Sequence, residues 1–311
     1  MSTAFVFPGQ GSQSIGMLAS LAEQFPSIQQ TFAEASEALG YDLWTLTQTG
    51  PEEQLGQTEF TQPALLAAGV AVWRVWQSEG GITPNVMAGH SLGEYTALCC
   101  AGAIEFKDAV TLVQDRGRYM QNAVAKGEGG MAAIIGLDDQ AVIDVCASIE
   151  NQGIIQAVNF NAPGQVVVAG HQAAIKASVS AFKAAGAKRA LPLPVSIPAH
   201  SQLMTPAAQQ LKQRIDSINV TLPSIPVIHN CNVTVATDVA DVKANLVTQL
   251  DSPVQWVATI EKITAEQGEY ASTQVIESGP GKVLCGMIKR IAKGTAVAAI
   301  DTPDSLTTAL S

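Results

Sequence analysis

A serine flanked by glycines is the feature of the sequence that points most directly to chemistry. Ser91 lies in the segment Gly89-His90-Ser91-Leu92-Gly93, which fits the pattern G-x-S-x-G. In that pattern a tight strand-to-helix turn lifts the serine above a sheet, at the N-terminus of the following helix. The helix dipole and the backbone N–H of Leu92 could then stabilise an oxyanion. The pattern predicts a nucleophilic Ser91; the alternative is an ordinary glycine-rich turn between a strand and a helix.

A nucleophilic serine also needs a base, because its hydroxyl reacts poorly until a neighbouring group takes its proton. The chain has four histidines, His90, His171, His200 and His229. His90 adjoins the serine, where neighbouring side chains point apart, and His229 lies in an apolar segment that favours a structural role. His200, in the irregular segment 196–201, is the best candidate. Asp and Glu are absent between positions 190 and 213, so a neutral group, a backbone carbonyl or an amide, is expected to orient His200.

Two further segments carry groups that could bind a substrate near the serine. Arg116 lies among apolar residues of a predicted helix, and a guanidinium can hold a carboxylate through two parallel hydrogen bonds. The alternatives are a surface arginine or one paired with Asp115. The loop Gly9–Ser12 lacks the lysine of a phosphate-binding loop and the glycine spacing of a dinucleotide site. It could instead bring a backbone N–H towards the serine as a second oxyanion donor.

The composition limits the class of protein. The chain has 311 residues, of which 47% are hydrophobic and 14% are charged, which excludes a disordered chain. The net charge of −10 argues against nucleic-acid binding, which needs a basic face. The five cysteines show no CxxC spacing and no cluster with histidine, so no metal site is expected. The sequence shows no signal peptide and no membrane-spanning run, so we expect a cytoplasmic protein that does not bind a membrane.

The elements that must position these residues alternate between strands and helices. Short strands are predicted at Thr3–Phe7 and Asn85–Ala88, and a helix at Ser91–Cys100 follows the second of them. Further strands are predicted at Pro226–Asn230, Gln274–Glu277 and Ala296–Asp301. Further helices are predicted at Leu18–Gln24, Ser27–Leu39, Thr61–Glu79, Phe106–Val124 and Gly281–Ile291. This alternation predicts an α/β fold with a mostly parallel sheet.

The middle of the chain has a different pattern. The predicted elements run strand, helix, strand, strand, helix, strand, at Met131–Ile135, Asp138–Ile149, Ile155–Phe160, Gln165–Ala169, Gln172–Ala185 and Arg189–Leu193. This βαββαβ order is typical of a ferredoxin-like unit. We therefore predict a ferredoxin-like subdomain at 126–195, inserted into a larger α/β domain formed by 1–125 and 196–311.

Seven short motifs, taken together, resemble one known family. They are Phe7–Gln13 (FPGQGSQ), Gly89–Tyr95 (GHSLGEY), Gln114–Gly117 (QDRG), Asn159–Gln165 (NFNAPGQ), Pro198–His200 (PAH), Pro253–Trp256 (PVQW) and Gly279–Gly281 (GPG). Their order and spacing resemble those of the malonyl-CoA:acyl-carrier-protein transacylases of type II fatty acid synthesis, from Phe5 to about Asp301. The resemblance implies an α/β-hydrolase-like core with a ferredoxin-like insert, the same fold class that the element pattern indicates.

The resemblance also implies a role for individual residues. Ser91 would carry the malonyl group as an ester, and His200 would act as general base and then as general acid. The main-chain carbonyl of Gln249 would orient His200. Asn161, in the NFNAPGQ motif, would contribute to substrate binding.

Three more residues acquire roles in the same way. Arg116 would hold the malonyl carboxylate, and the backbone N–H groups of Gln10 and Leu92 would form the oxyanion hole. Malonyl-specific members of the family often carry a bulkier or polar residue just before the histidine, where this chain has Ala199. The selectivity against branched malonyl groups therefore stays open.

The resemblance implies a ping-pong reaction between two carriers. Malonyl-CoA would be the substrate and CoA the first product, and the phosphopantetheine thiol of acyl carrier protein would take the malonyl group from the serine. No cofactor is expected to be bound, and a monomer is expected because a transferase for two large carriers needs an open cleft.

Both carriers are anionic, so an acidic enzyme should gather cations near the mouth of its site. The candidates for docking the carrier protein are Lys188, Arg189, Lys282, Lys289 and Arg290.

Three other functions share some of these features. A serine esterase or thioesterase would use the same elbow but is expected to have an acid partner for its histidine. A scaffold module that keeps the fold would have no need of Ser91, His200 and Arg116 together. An acyltransferase that serves a polyketide pathway in trans would carry nearly the same motifs.

Overall fold

The structure is a computed structural model that describes residues 2–311, with nine strands in two sheets. The strands are β1 (Thr3–Phe7), β2 (Val86–Gly89), β3 (Gly129–Ile135), β4 (Ile155–Ala162), β5 (Gln165–His171), β6 (Arg189–Pro192), β7 (Val227–Ile228), β8 (Gln274–Glu277) and β9 (Ala296–Ala299). The helices are α1 (Ala19–Gln24), α2 (Ser27–Leu39), α3 (Leu43–Thr49), α4 (Glu52–Leu55), α5 (Thr58–Ser78), α6 (Leu92–Cys100), α7 (Phe106–Asn122), α8 (Asp139–Ser148), α9 (Gln172–Ala184), α10 (Thr205–Asp216), α11 (Val239–Thr248), α12 (Trp256–Thr264), α13 (Val283–Ile291) and α14 (Pro303–Leu310).

The larger sheet is parallel and has the strand order β7-β2-β1-β8-β9. Its central strand β1 is buried along its whole length, which explains why the sequence there reads as a continuous apolar run rather than an alternating one. The register pairs Phe7 with Gly89, so β1 and β2 end together at the same edge. Ligands of such sheets bind outside the carboxyl ends of the strands, and Ser91 follows β2 at this edge.

One long helix forms the centre of the larger core. Most residues of α5 are buried, since it packs between α2, α6 and α7. The rings of Trp73 and Trp76 contact Phe5 edge to face, with centroids 5.1 and 5.2 Å from it. These contacts attach α5 to the central strand. The attraction between the aromatic rings adds to the stabilisation that comes from burying their apolar surface.

The smaller sheet is antiparallel, with the strand order β4-β5-β3-β6. Helices α8 and α9 connect its strands in the order β3, α8, β4, β5, α9, β6, and they pack on one another and on the sheet. Residues such as Val142, Phe160 and Phe182 form a separate apolar cluster there. The predicted fold class, a parallel α/β core with a ferredoxin-like unit, is confirmed, whereas the exact bounds 126–195 and the flanking 1–125 and 196–311 stay predictions.

The structure departs from the predicted elements mainly after residue 200. The predicted strand at Pro226–Asn230 is reduced to Val227–Ile228. The strand ends there because the N–H of His229 donates to the carbonyl of Thr234 and the N–H of Asn230 donates to the Glu94 carboxylate, so neither pairs with β2. Six helices that the sequence pattern did not predict are α3, α4, α10, α11, α12 and α14. Several of these are short, and a short amphipathic turn gives little periodic signal.

No helix within residues 2–311 has the length and the apolar character that are needed to cross a bilayer.

Candidate active site

Ser91 occupies a strained turn between β2 and α6. Its φ is +53° and its ψ −106°, a conformation that non-glycine residues rarely adopt. A Cβ on Gly89 would overlap the backbone of Gly93, and a Cβ on Gly93 would overlap the carbonyl of Phe7. Both glycines are therefore required for the close approach of β1, β2 and α6 that lifts Ser91 out of the sheet.

His200 lies directly beside the serine hydroxyl. Its Nε2 is 2.8 Å from Ser91 Oγ, and its Nδ1 is 2.7 Å from the carbonyl oxygen of Gln249. Because a carbonyl can only accept, Nδ1 carries the proton and the lone pair of Nε2 faces the hydroxyl. This is the tautomer that a general base requires. His200 has a φ of +64°, and its N–H donates to the carbonyl of Leu250, so its loop is held near the end of α11.

Burial keeps the imidazole of His200 neutral. Desolvation and then the nearby Arg116 cation lower the pKa of His200 from 6.5 to about 3, although the hydrogen bond to the Gln249 carbonyl acts in the opposite direction. A neutral imidazole can accept the serine proton over the whole physiological pH range.

Arg116 is buried beneath the serine, with 1% of its surface exposed. Its Nη2 donates to Ser91 Oγ (3.2 Å) and to Gln249 Oε1 (2.9 Å), and its Nη1 donates to Gln62 Oε1 (2.8 Å). The guanidinium also lies 5.0 Å from the centroid of the Tyr95 ring. All of these partners are neutral, so the cation remains available to an anionic ligand.

Both alternatives for Arg116, a surface position and a pairing with Asp115, are wrong. Asp115 points to the other side of α7, where it binds Arg214 Nε at 2.7 Å and lies 3.7 Å from Arg118. Burial lowers the pKa of Arg116 from its ordinary value, so its charge is costly in this position.

Gln10 and Leu92, the two predicted oxyanion donors, border the same space. The loop after β1 contacts the elbow so closely that a Cβ on Gly9 would overlap the carbonyl of His90. Within residues 2–311 neither N–H donates to a protein acceptor, and both residues line the cavity that contains Ser91. Both N–H groups are therefore free to donate to one substrate oxyanion in the cavity.

A cavity of about 1070 Å³ opens over Ser91 between the two sheets. Its walls combine polar and apolar side chains from both parts of the chain, among them Met120, Lys126, Asn159, Asn161, Ala199, Val283 and Met287. Asn161 Oδ1 is 2.7 Å from Nε2 of His90, which links β4 to the elbow. The volume is large enough for an extended acyl chain with its carrier arm.

The five predicted docking cations do not lie on the cavity wall among the described residues. Lys282 adjoins the lining residue Val283 at the start of α13, and Lys289 and Arg290 lie in its last turn. Arg290 donates to the carbonyl of Pro163 (2.8 Å), at the turn between β4 and β5.

The other two predicted docking residues, Lys188 and Arg189, lie where the edge strand β6 begins, against Gly136 and Ile135. Docking by all five cations stays a prediction. Lys126, which the sequence analysis did not single out, does line the cavity.

Three polar residues in the site, and the side chain of a fourth, were missed from the sequence. Gln62 and Gln249 hold Arg116 through their side chains, and Glu94 and Asn230 lie behind the elbow. A signal existed for two of them, because Gln62 directly precedes the apolar run of α5 and Glu94 lies in the first turn after the elbow. Asn230 and the side chain of Gln249 gave no such signal.

Comparisons with known proteins show the family of the chain. The family model described as the acyl transferase domain matches residues 4–295. A malonyl CoA-acyl carrier protein transacylase of Salmonella typhimurium is 54% identical over 307 residues, which cover 99% of this chain and 98% of that protein. The corresponding Bacillus subtilis protein is 44% identical over 308 residues, with 99% and 96% covered.

Solved structures of similar sequence also superpose closely on this chain. An acyl carrier protein S-malonyltransferase from Vibrio cholerae superposes with a TM-score of 0.95 at 53% identity, with 99% of each chain covered. A malonyl-transacylase solved in complex with its type II polyketide synthase acyl-carrier protein has a TM-score of 0.97 at 52% identity, with 100% of this chain and 99% of that chain covered. The family resemblance of the sequence motifs is thereby confirmed, and the chain belongs to the acyl transferase family that includes the malonyl CoA-acyl carrier protein transacylases.

Proposed function

We propose that the protein transfers a malonyl group from malonyl-CoA to the phosphopantetheine thiol of acyl carrier protein in type II fatty acid synthesis. The observation that carries the proposal is the position of Ser91 Oγ, 2.8 Å from a neutral imidazole and 3.2 Å from a buried guanidinium. A base and a cation on one serine suit an ester whose acyl group ends in a carboxylate. The names of the relatives, which are malonyl transferases that act on acyl carrier protein, support the same substrates.

The first half-reaction forms the ester. His200 Nε2 takes the hydroxyl proton as Ser91 Oγ attacks the thioester carbonyl of malonyl-CoA. The carbonyl oxygen becomes an oxyanion, which the N–H groups of Gln10 and Leu92 stabilise. When the tetrahedral intermediate collapses, the C–S bond breaks, and His200 returns its proton to the sulfur of CoA.

Arg116 selects and positions the acyl group. Its Nη2 already contacts Ser91 Oγ, so the free carboxylate of a bound malonyl ester comes within reach of the guanidinium. An ion pair with a buried cation holds the ester in one orientation and restricts the access of water to the carbonyl. The ester would therefore persist until the second thiol arrives.

The second half-reaction uses the same groups in reverse order. His200 takes a proton from the phosphopantetheine thiol of acyl carrier protein, and the thiolate attacks the ester carbonyl. The tetrahedral intermediate collapses as the bond between the carbonyl carbon and Ser91 Oγ breaks, which leaves the malonyl group as a thioester on the carrier sulfur, and Oγ regains the proton from His200. The complex of a relative with its acyl-carrier protein supports a carrier protein as the second partner.

A hydrolase fits the site less well. The group that orients His200 is the neutral carbonyl of Gln249, whereas a serine esterase commonly places a carboxylate there. A buried arginine beneath the serine also has no role in the hydrolysis of an uncharged ester.

We further propose that the enzyme acts as a cytoplasmic monomer without a bound cofactor. Light scattering after gel filtration tests the monomer, because a dimer would elute with twice the mass of the chain.

The central experiment is intact-mass spectrometry after the protein is mixed with malonyl-CoA. The expected result is a malonyl adduct on the wild type that is absent from Ser91→Ala and is removed when holo acyl carrier protein is added. Free malonate released at the same rate without carrier protein would support the hydrolase instead. Carrier proteins from fatty acid and polyketide pathways, used side by side, would distinguish the two pathways by their relative rates.

A further inference from the structure

A buried carboxylate lies directly behind the nucleophile. Glu94, in the first turn of α6, is 0% exposed, and it lies outside the set of described residues that line the cavity. Its Oε1 accepts from Nδ1 of His229 at 2.7 Å, and its Oε2 accepts from the N–H of Asn230 and from Nε2 of Gln249, each at 2.9 Å. An anion is costly to bury, and three donors are arranged around this one, yet the mechanism above gives Glu94 no role.

The three donors include the side chain that holds Arg116. Gln249 Nε2 donates to Glu94 Oε2 and to the carbonyl of Ser91, both at 2.9 Å, so both of its N–H bonds have acceptors. The opposite end of the amide, Oε1, therefore faces Arg116 Nη2 at 2.9 Å. If the amide were flipped, its NH₂ group would face the guanidinium, donor against donor. Because a carboxylate accepts and does not donate, Glu94 holds the amide in this orientation together with the Ser91 carbonyl and Arg116.

Gln249 also connects Glu94 to the base. The backbone carbonyl of Gln249 accepts from His200 Nδ1 at 2.7 Å, so the residue that Glu94 anchors by its side chain orients His200 by its main chain. Asn230 makes a parallel link, since its Oδ1 accepts from the N–H of Ser91 at 2.7 Å while its own N–H donates to Glu94. The supports of the nucleophile, the base and the cation thus converge on one carboxylate.

We propose that Glu94 is a positioning residue that sets the preference for acyl groups bearing a carboxylate, by fixing the amide of Gln249 against Arg116. The proposal rests on the proposed malonyl transfer. It assigns part of the substrate selectivity to a side chain that does not touch the substrate.

The test is a double-mutant cycle of Glu94→Met with Gln249→Met. Methionine removes each polar side chain at similar length, and Gln249→Met keeps the main-chain carbonyl for His200. The measured quantity is the ratio of kcat/KM for malonyl-CoA to kcat/KM for acetyl-CoA, from the rate of ester formation on Ser91. Each single variant is expected to lower this ratio about tenfold, which corresponds to the loss of one well-placed hydrogen bond to a charged group. The double variant is expected to match Gln249→Met alone, because the two residues act through one contact.

Two matched variants separate positioning from a general loss of stability. Glu94→Gln keeps one acceptor oxygen for the Gln249 amide, provided that the imidazole of His229 changes its tautomer to accept from the new NH₂ group. The ratio of malonyl to acetyl kcat/KM in this variant should therefore return towards the wild-type value. His229→Gln removes an imidazole on the far side of the carboxylate, and it should lower the melting temperature while the ratio stays within about twofold. If Glu94→Met does not fold, Glu94→Asp replaces it in the cycle, since its shorter side chain withdraws the carboxylate from Gln249.

The outcomes are distinguishable. A wild type that forms no malonyl ester would contradict the proposed function before any variant is made. A wild type that transfers malonyl, together with an unchanged ratio in the Glu94 variant or with losses that add in the double variant, would overturn the positioning role.

Discussion

At the scale of single residues, the reactivity of Ser91 depends on two neighbours that act on each other. Arg116 lies close enough to His200 to lower its pKa, and both contact the same hydroxyl. The cation therefore has two effects, since it attracts a substrate carboxylate and it adds to burial in lowering the pKa of His200. These effects can be separated by pH and by substitution.

The pH dependence of ester formation should show no inflection near the ordinary pKa of histidine. Neutral His200 is the active base, and it is lost only when the pH falls below its pKa, which burial and Arg116 lower from 6.5 to about 3. The single-turnover rate of malonyl-Ser91 formation should therefore stay level from about pH 8 down to about pH 5. Rapid-quench mass spectrometry measures this rate. A decline with a midpoint close to 6.5 would contradict the lowered pKa.

Replacement of Arg116 should change both selectivity and pH dependence. Arg116→Met removes the guanidinium at similar length, and we expect the malonyl kcat/KM to fall about 100-fold, the equivalent of one lost charged pair, while the acetyl value changes much less. The pKa of His200 should rise because a nearby cation is gone, which moves the acid limb of the rate profile to higher pH. Arg118→Met is the matched control, since Arg118 lies on the same helix but is half exposed and binds Glu59. Equal losses in the two variants would be evidence against a carboxylate site at Arg116.

At the scale of elements, the site is produced by the junction of β1, β2 and α6. The two glycines of the elbow allow these elements to approach so closely that Ser91 is held at φ +53°. The side chain of Asn230 ties the junction together, because it accepts from the N–H of Ser91 and donates to the carbonyl of Gly89. The strain at Ser91 is thus maintained by packing and by hydrogen bonds on both sides of it.

An added methyl group at the elbow should destabilise the whole domain. In Gly93→Ala the new Cβ would overlap the carbonyl of Phe7 on the central strand, and we expect a loss of about 2–4 kcal/mol in the free energy of unfolding. Gly286→Ala is the control, because in the described structure a Cβ there meets open space within α13. It should be neutral or raise the stability by up to about 1 kcal/mol, as alanine favours a helix. Urea denaturation measures both, and similar values for the two variants would show that the elbow is not tightly packed.

At the scale of the whole molecule, binding of two anionic carriers would require that the positive charges be concentrated near the cavity. The net charge is −10, yet both proposed carriers are anionic. Arg116 and Lys126 reach the cavity, Lys282 directly precedes its lining residue Val283, and Lys289 lies in the last turn of α13. An enzyme with this distribution can attract an acidic carrier locally despite its overall repulsion.

Reversal of the charges on α13 should weaken the second half-reaction. For Lys282→Glu combined with Lys289→Glu, we expect the KM for acyl carrier protein to rise about tenfold at low salt, with a smaller rise at high salt because exposed charges are screened. Arg290 is left unchanged, since it binds the turn between β4 and β5. Lys212→Glu, on α10, serves as the control because its partner Asp216 lies on the same helix. A KM that is insensitive to the α13 charges would place carrier docking elsewhere.

Much of the fold and part of the site could be predicted from local patterns. The buried run at β1, the G-x-S-x-G turn and the βαββαβ order each depend on neighbouring residues, and the structure shows all three. The motifs were also sufficient to identify the family. Helices α3 and α4, of seven and four residues, were missed because such short elements carry too few residues to display a period.

The sequence alone determined which residues are chemically able to act, whereas only the tertiary structure decided which groups meet. Ser91 and His200 lie 109 positions apart, and no local pattern sets the 2.8 Å between them. The carbonyl that orients His200 belongs to Gln249, but every residue has a carbonyl, so residue type could not single it out. The same holds for Glu94, whose three donors come from segments more than 130 positions away. A hydrogen bond depends on distance and direction in space, and these are set by the packing of the two sheets and their helices rather than by spacing along the chain.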